Sequence, residues 1–182
     1  INKDIKINIS RNLKKSIINE KRYFTGYWGI LNRNYVFLSE NEKTDFLIDY
    51  FTISGLNDKK ILKYQINNYD IDYNFKNEPL EITSKLETKD LISKVNGKIL
   101  LNVGKVIGLQ SNLFKENERV NPIEINFPNE YSYEIEFLIP KGYKVSTIDK
   151  LIKDRKYISV DGNVTAQFKS SANIVNNKLT IK

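Results

Sequence analysis

The chain of 182 residues contains no cysteine, no histidine and no methionine, and it has only four prolines, eight glycines and one tryptophan. Without cysteine or histidine there is no thiolate nucleophile, no Ser-His-Asp or Cys-His triad and no ordinary zinc site. There is also no disulfide, so cysteine usage does not assign the chain to a redox compartment. Chemistry is confined to carboxylate pairs, Ser-Lys arrangements and carboxylate metal sites. Long apolar runs are missing too, and nothing approaches the roughly 18–20 consecutive residues of a membrane helix. The opening "INKDIKINIS" has no initiator methionine and no apolar signal core, so the chain is expected to be part of a longer protein.

What is present is a large apolar fraction, 40% with 12% aromatics, enough for a sizeable core. The net charge of +7 raises the question of a nucleic-acid partner. Lysine far outnumbers arginine, the residue that reads bases and phosphates in bidentate fashion, and the lysines are scattered along the chain. Isoleucine, lysine and asparagine abound, while alanine occurs only at Ala166 and Ala172, a bias of AT-rich codons. The basicity therefore reads as a solvated surface, and no nucleic-acid partner is expected.

Hydrophobic periodicity gives the organisation. "DIKINIS" places Ile5, Ile7 and Ile9 on one face, and "LKKSIINEKRYF" accommodates a second short strand. From Tyr27 the period becomes helical, with Ile30, Leu31, Tyr35 and Leu38 on one stripe. A second helix is predicted from the capping box Ser39–Glu42, with Phe46, Leu47, Tyr50 and Phe51 buried and Gly55 as a left-handed C-terminal cap. Alternation then returns. "KILKYQIN" puts Leu62, Tyr64 and Ile66 together, and "LEITSKLE" does so for Leu80, Ile82 and Leu86. "KILLNVG" is a short strand and "NLFKENERVNP" an extended polar crossing. "YSYEIEFLI" puts Tyr131, Tyr133, Ile135, Phe137 and Ile139 on one side, with Pro128 before it and Pro140 after it. "NVTAQFK" turns Val164, Ala166 and Phe168 inward, and "NKLTIK" ends the chain. Asp161-Gly162 and Asn176-Asn177 are hairpin turns.

The predicted fold is mainly β, α+β overall: an antiparallel β-sandwich of about seven to nine strands with a short helix pair in the N-terminal third. The polar, turn-rich segment 67–79 is the candidate boundary. It divides a strand/helix-pair/strand segment, 1–75, from a sandwich, 76–182, either as separate domains or as one continuous body.

No constellation signals catalysis, and no cofactor is expected. Asp70 and Asp72 lie two apart without the glycine and further oxygens of a calcium loop. Glu134 and Glu136 share a strand face at about 7 Å, but nothing separates their pKa values. "VGKVIG" lacks the Gly-Lys-Ser/Thr ending of a phosphate loop. "YFTGYWGI" clusters Tyr23, Tyr27 and Trp28 with Phe24 around two glycines. Such rings bind sugars or bases when exposed and fill cores when not, so Tyr23, Tyr27 and Trp28 are the candidate binding surface.

One stretch, "VGKVIGLQSNLFKENERVNPIEINFPNEYSYEIEFLIPKGYKV", resembles the C-terminal region of a family of transglutaminase-like proteins common in Bacteroidetes. The likeness rests on "VGKVIG", Arg119 with Pro122, the strand Tyr131–Ile139 and the "IPKGYKV" turn. "FKSS", "NKLTIK" and "GYWGILNRNYVFLSE" are similar to flanking parts of the family. In that family a β-rich domain of unknown function precedes a papain-type Cys-His-Asp core, and a β-rich region follows. The resemblance implies a non-catalytic accessory or structural module at the C-terminal end of such a protein, in the periplasm or cell envelope. Its partner would be the upstream transglutaminase-like domain of the same chain, and an apolar patch near residues 1–35 should mark the contact. The alternative is an independent module that binds glycans or another envelope polymer or protein. A carboxylate-based hydrolase would require two acidic groups converging in a cleft, with one pKa raised.

Overall fold

The structure, a computed structural model, describes residues 1–51, 53, 55–108 and 127–182, with only the backbone of residues 36, 44 and 47–51. The polar crossing at 112–122, with Arg119 and Pro122, lies outside the described residues. So do the side chains of Leu47, Tyr50 and Phe51.

Strands dominate, and most are the alternating stretches. In chain order they are β1 (Asn2–Ile9), β2 (Ser16–Phe24), β3 (Lys59–Asn67), β4 (Leu80–Thr88), β5 (Ile92–Val95) and β6 (Lys98–Leu101). After these come β7 (Ser132–Leu138), β8 (Lys153–Ile158), β9 (Val164–Ser170), β10 (Ala172–Val175) and β11 (Lys178–Ile181). Seven of them make one sheet in the order β10-β11-β7-β1-β2-β4-β3, while β5–β6 and β8–β9 are separate two-stranded ribbons. Among the described residues every pairing is antiparallel except β1 with β7, which run parallel from Asn2↔Ser132 to Ile7↔Phe137. The mainly-β, α+β class is thus the observed one.

Period-2 geometry gives the large sheet two unlike faces. The inner face carries Ile5, Ile7, Ile18, Leu86, Ile135, Phe137, Leu179 and Ile181, all buried. Each aliphatic side chain so enclosed contributes about 1.5–3 kcal/mol. The outer face is a lattice of ion pairs. Glu136 is held between Lys6 and Lys178, Lys21 meets Glu81 at 3.0 Å, and Lys182 meets Glu134 at 3.0 Å. Where a sandwich would set a second sheet against the inner face, the described residues place short pieces of mixed structure. These are Ile53 and Leu56, Leu91, the single-turn helix Gly104–Ile107 with buried Val106, and the partly buried Val145, Ile148 and Leu151. Among the described residues β5 pairs with β6 and β8 with β9, and β6 adds Leu101 to the cover of the inner face.

A boundary between residues 75 and 76 falls inside this sheet. It lies in the connection between β3 and β4, which pair from Lys59↔Thr88 to Asn67↔Glu81, and β1 pairs with β7 across it. Segments 1–75 and 76–182 therefore share one sheet and one core, because backbone pairing and not a linker joins them.

Local chemistry accounts for the turns. Asn176 and Asn177 both have positive φ, 49° and 62°, as a two-residue hairpin loop matched to strand twist demands. Asn96-Gly97, at 49° and 75°, does the same between β5 and β6. Gly162 (φ 85°) closes β8–β9, with its N–H donating to Ser159 O at 2.9 Å. Gly142 (φ 85°) completes the turn after Pro140, where Tyr143 N donates to Pro140 O at 3.0 Å.

The helices depart from expectation in one respect. The capping box is formed: Ser39 N donates to Glu42 Oε2 at 2.8 Å, and Glu42 N donates to Ser39 Oγ at 3.4 Å, ahead of α2 (Glu40–Phe51). In α1 (Gly26–Arg33), however, the buried residues are Gly29, Asn32 and Arg33, and the Tyr27–Ile30–Leu31 stripe faces solvent. Two contacts dictate that rotation. A Cβ at Gly29 would come within 2.9 Å of Phe24 O, so glycine permits a close approach to the end of β2. Arg33 reaches from the same side to donate to Asn68 O at 2.8 Å, to Asn74 Oδ1 and to Glu78 O. Buried guanidinium bonds to loop oxygens outweigh the apolar stripe. At Gly55 a Cβ would come within 2.8 Å of Lys105 O, so glycine permits a close approach of the two backbones there.

Candidate binding surface and inner-face charge cluster

Tyr23, Tyr27 and Trp28 do not share one surface. Tyr23 pairs in register with Asn2 and Glu81 on the outer face, under the Lys21 ammonium at 5.0 Å from its ring. Trp28 turns the other way. It packs against Phe24, Leu80 and Ile82, and its Nε1 donates to Asn129 Oδ1 at 2.8 Å. Tyr27 alone stands out, 65% exposed, with Phe127 tilted against it at 5.1 Å. The exposed set on this helix is therefore Tyr27, Ile30 (47%) and Leu31 (52%), continued by Phe37 (72%) on the 3-10 turn Asn34–Phe37. Four large apolar side chains standing out within eleven residues form a surface feature of the kind that marks contacts.

Of the carboxylates named from the sequence, Asp70, Glu134 and Glu136 make local hydrogen bonds or ion pairs, and Asp90, not named there, does so too. Asp70 caps the short turn Ile71–Asn74 by accepting from Asp72 N at 3.0 Å. Hydrogen bonding to Lys178 and Lys6 holds the Glu136 carboxyl below the usual range. Asp90 is lowered likewise by accepting from Asp58 N at 2.8 Å and Asn57 N at 2.6 Å. Among the described residues no three metal-ligating side chains converge.

A second cluster escaped the sequence reading. Register places Lys3, Arg22 and Tyr133 side by side on the inner face, with Glu20 one pair further along. Glu20 and Arg22 are buried and joined by two hydrogen bonds, Arg22 Nε to Glu20 Oε1 at 2.7 Å and Nη2 to Oε2 at 2.8 Å. Lys3 Nζ lies 3.9 Å from Glu20 Oε1 and 5.3 Å from the centre of the Tyr133 ring. Burial first, and the Arg22 charge second, bring the Lys3 ammonium down to about 8. Burial pushes the Tyr133 hydroxyl up. The signal available in the sequence was the spacing of Glu20 and Arg22, two apart on a strand and hence on one face. Charges on both faces of β2 concealed which face was inside.

Beside Lys3 and Arg22 opens a recess of about 180 Å³, walled by Ile1, Phe24, Trp28, Tyr131 and Tyr133. It sits where the apolar inner face gives way to the charge cluster, at the end of the sheet next to α1.

Residues 97–182, just under half of the chain, match a family model described as a domain of unknown function with solved structure, DUF3858. No curated protein matches the chain, and no solved structure does. The matched part supplies β7, β10 and β11 to the large sheet, whereas β1–β4 lie outside it. In its C-terminal part the chain is similar to a family whose function is undefined.

Proposed function

We infer that this chain is a non-catalytic accessory module that packs against another domain of the same polypeptide through the exposed face of α1. The observation that carries the reading is the exposure of Tyr27, Ile30 and Leu31 on α1, with Phe37 exposed on the turn that follows. The likeness of "VGKVIG", Tyr131–Ile139 and "IPKGYKV" to transglutaminase-like proteins names the neighbour: a papain-type core, in the periplasm or cell envelope, which the module supports or positions. The lack of cysteine and histidine fits a supporting role, as does the tying of Glu134 and Glu136 to lysines.

The test uses the longer polypeptide that carries this chain. Ile30→Glu with Leu31→Glu places two charges on the face. The module by itself should melt within a few degrees of the unaltered one, because both side chains are already exposed. In the long polypeptide the pair should lower the melting temperature of the neighbouring domain and open the junction to protease. Equal melting and equal protease resistance would refute the docking. If instead Tyr27→Ala abolished retention on an insoluble polysaccharide while docking stayed intact, the module would be a glycan binder, a reading favoured by the exposed Tyr27 ring backed by the half-buried Phe127.

A further inference from the structure

The β8–β9 ribbon is exposed over nearly its whole length. Every residue of β8 is exposed, and so is every residue of β9 except Ser170 at the base. Strands of six and seven residues, at about 3.3 Å each, make the ribbon roughly 20 Å long. Its side chains are graded along that length. At the far end Tyr157, Ile158, Val164 and, in the connecting turn, Val160 are each more than half exposed, Val160 completely. Towards the base lie Lys156, Arg155, Lys153 and Lys169. Register sets Arg155 beside Phe168 on one face, and Lys156 and Lys169 on the other, so the cations form a collar. Among the described residues none of these four cations is in an ion pair.

Two acidic groups lie in the same segment, and both are occupied. Gln167 Nε2 donates to Asp154 Oδ1 at 3.1 Å. Ser159 Oγ donates to Asp161, and Asn163 Nδ2 donates to it at 2.8 Å. The other ribbon has the reverse grading. In β5–β6 the turn end carries Lys94 and Lys98, while Leu101 at the base end packs against the core. An apolar tip, a tyrosine behind it and a collar of cations behind that follow the layers of a membrane surface: acyl boundary, headgroups and anionic charge. The collar is complementary in charge to anionic lipid. The Asp161 carboxylate at the tip limits the depth of entry to the interface.

We propose that the tip of the β8–β9 ribbon docks on the surface of a bilayer that contains anionic lipids. Ile158, Val160 and Val164 enter the boundary between headgroups and acyl chains, and Lys153, Arg155, Lys156 and Lys169 meet lipid phosphates. The surface lies on a different element from α1 and does not rest on the docking of that helix.

The chain has no cysteine, so Val160→Cys creates a single thiol for an environment-sensitive fluorophore, and Lys98→Cys does the same on the other ribbon. Vesicles are made of phosphatidylcholine alone and of an equal mixture with phosphatidylglycerol. The label at 160 should shift to the blue on the mixed vesicles, and the label at 98 should not. In cosedimentation the unlabelled chain should bind the mixed vesicles at least about tenfold more tightly than the neutral ones. Ile158→Ser with Val160→Glu should weaken that binding by about tenfold, and Lys153→Gln with Lys156→Gln by about tenfold or more. Lys94→Gln with Lys98→Gln removes the same charge elsewhere and should weaken it by no more than about twofold. All six substituted side chains are exposed, and thermal melts should match the unaltered chain. The proposal is overturned by no binding to the mixed vesicles, by equal binding to both kinds, by an unshifted label at 160, or by equal losses in the two lysine pairs. A dimer that forms without vesicles and is broken by Val160→Glu, with vesicles left unbound, would assign the ribbon to a second copy of the chain and overturn it as well.

Discussion

β7 and β9 are both seven-residue alternating strands, and both carry a phenylalanine on the apolar side, yet Phe137 is 6% exposed and Phe168 is 58% exposed. The difference lies in their neighbours. β7 runs between β11 and β1, near the middle of a seven-stranded sheet, with Ile148, Leu151 and Val145 packed over its cluster. β9 has β8 alone, and every residue of β8 is exposed. The alternation that implied Val164, Ala166 and Phe168 pointing inward has no interior to meet, so Val164, Tyr157 and Phe168 all stand in solvent. A two-stranded ribbon by itself is marginal in water. What holds this one are its turn bonds at Asp161 and Ser159 and its anchoring at Ser170, whose Oγ donates to Leu151 O at 2.7 Å. Alternation therefore marks a strand but does not guarantee a buried face.

The largest contrast should come from the two phenylalanines. Phe137→Ala is expected to lower unfolding stability by about 3–5 kcal/mol, and Phe168→Ala by no more than about 0.5 kcal/mol, both read from urea midpoints. Similar losses at the two sites would show that the ribbon is packed as tightly as the sheet. Next come two glutamates on opposite faces. Glu20→Gln breaks a buried pair and should be destabilising by about 3 kcal/mol or more. Glu134→Ala, on the exposed face, should change stability by less than about 1 kcal/mol. A loss at Glu134 that matched the loss at Glu20 would mean the outer lattice is a cooperative unit.

A subtler test uses pH. The Lys3 ammonium has its pKa lowered from 10.5 to about 8. Between those values the unfolded chain holds a proton that the folded chain has released, so this group makes stability rise with pH across that window. Lys3→Met should abolish that rise and should be more stable than the unaltered chain at pH 7, as followed by denaturation at pH 7 and pH 10. An identical pH dependence in the two proteins would place Lys3 in water. The smallest effect belongs to α1. Leu31→Ala in the isolated module should leave the melting temperature within a few degrees, because Leu31 is half exposed. A large drop would put the apolar stripe against the body and remove the docking face.

The strands with one polar face were readable from residue type because hydrophobic alternation is a local property. β1, β4 and β7 are where period 2 places them, and the Ser39–Glu42 box and the Asn176-Asn177 turn follow from side chains within a few residues of each other. Asn96-Gly97 carries as strong a turn signal, but the expectation centred on the strand beginning at Lys98 and passed over it. β3 was harder, since a bulge between Ile61 and Lys63 shifts its phase and leaves Leu62 exposed. The candidate surface is not one surface: parity in β2 turns Tyr23 to the outer face, whereas Trp28, on α1, packs against Phe24, Leu80 and Ile82 of the other face, and Tyr27 alone is exposed.

Residue order thus decided the things that depend on near neighbours: strand periodicity, caps, turns, a mainly-β class and the absence of thiol and imidazole chemistry. Pairing between distant segments decided the rest. The parallel match of β1 with β7 sets Lys3 beside Tyr133, and the antiparallel match of β1 with β2 sets it beside Arg22, 19 residues away in sequence. No local pattern carries those neighbours, because a buried charge is defined by what the fold sets against it. The rotation of α1 has the same origin. Its stripe was written for burial, but contacts of Arg33 with oxygens 35 to 45 residues further along the chain turned it to the surface.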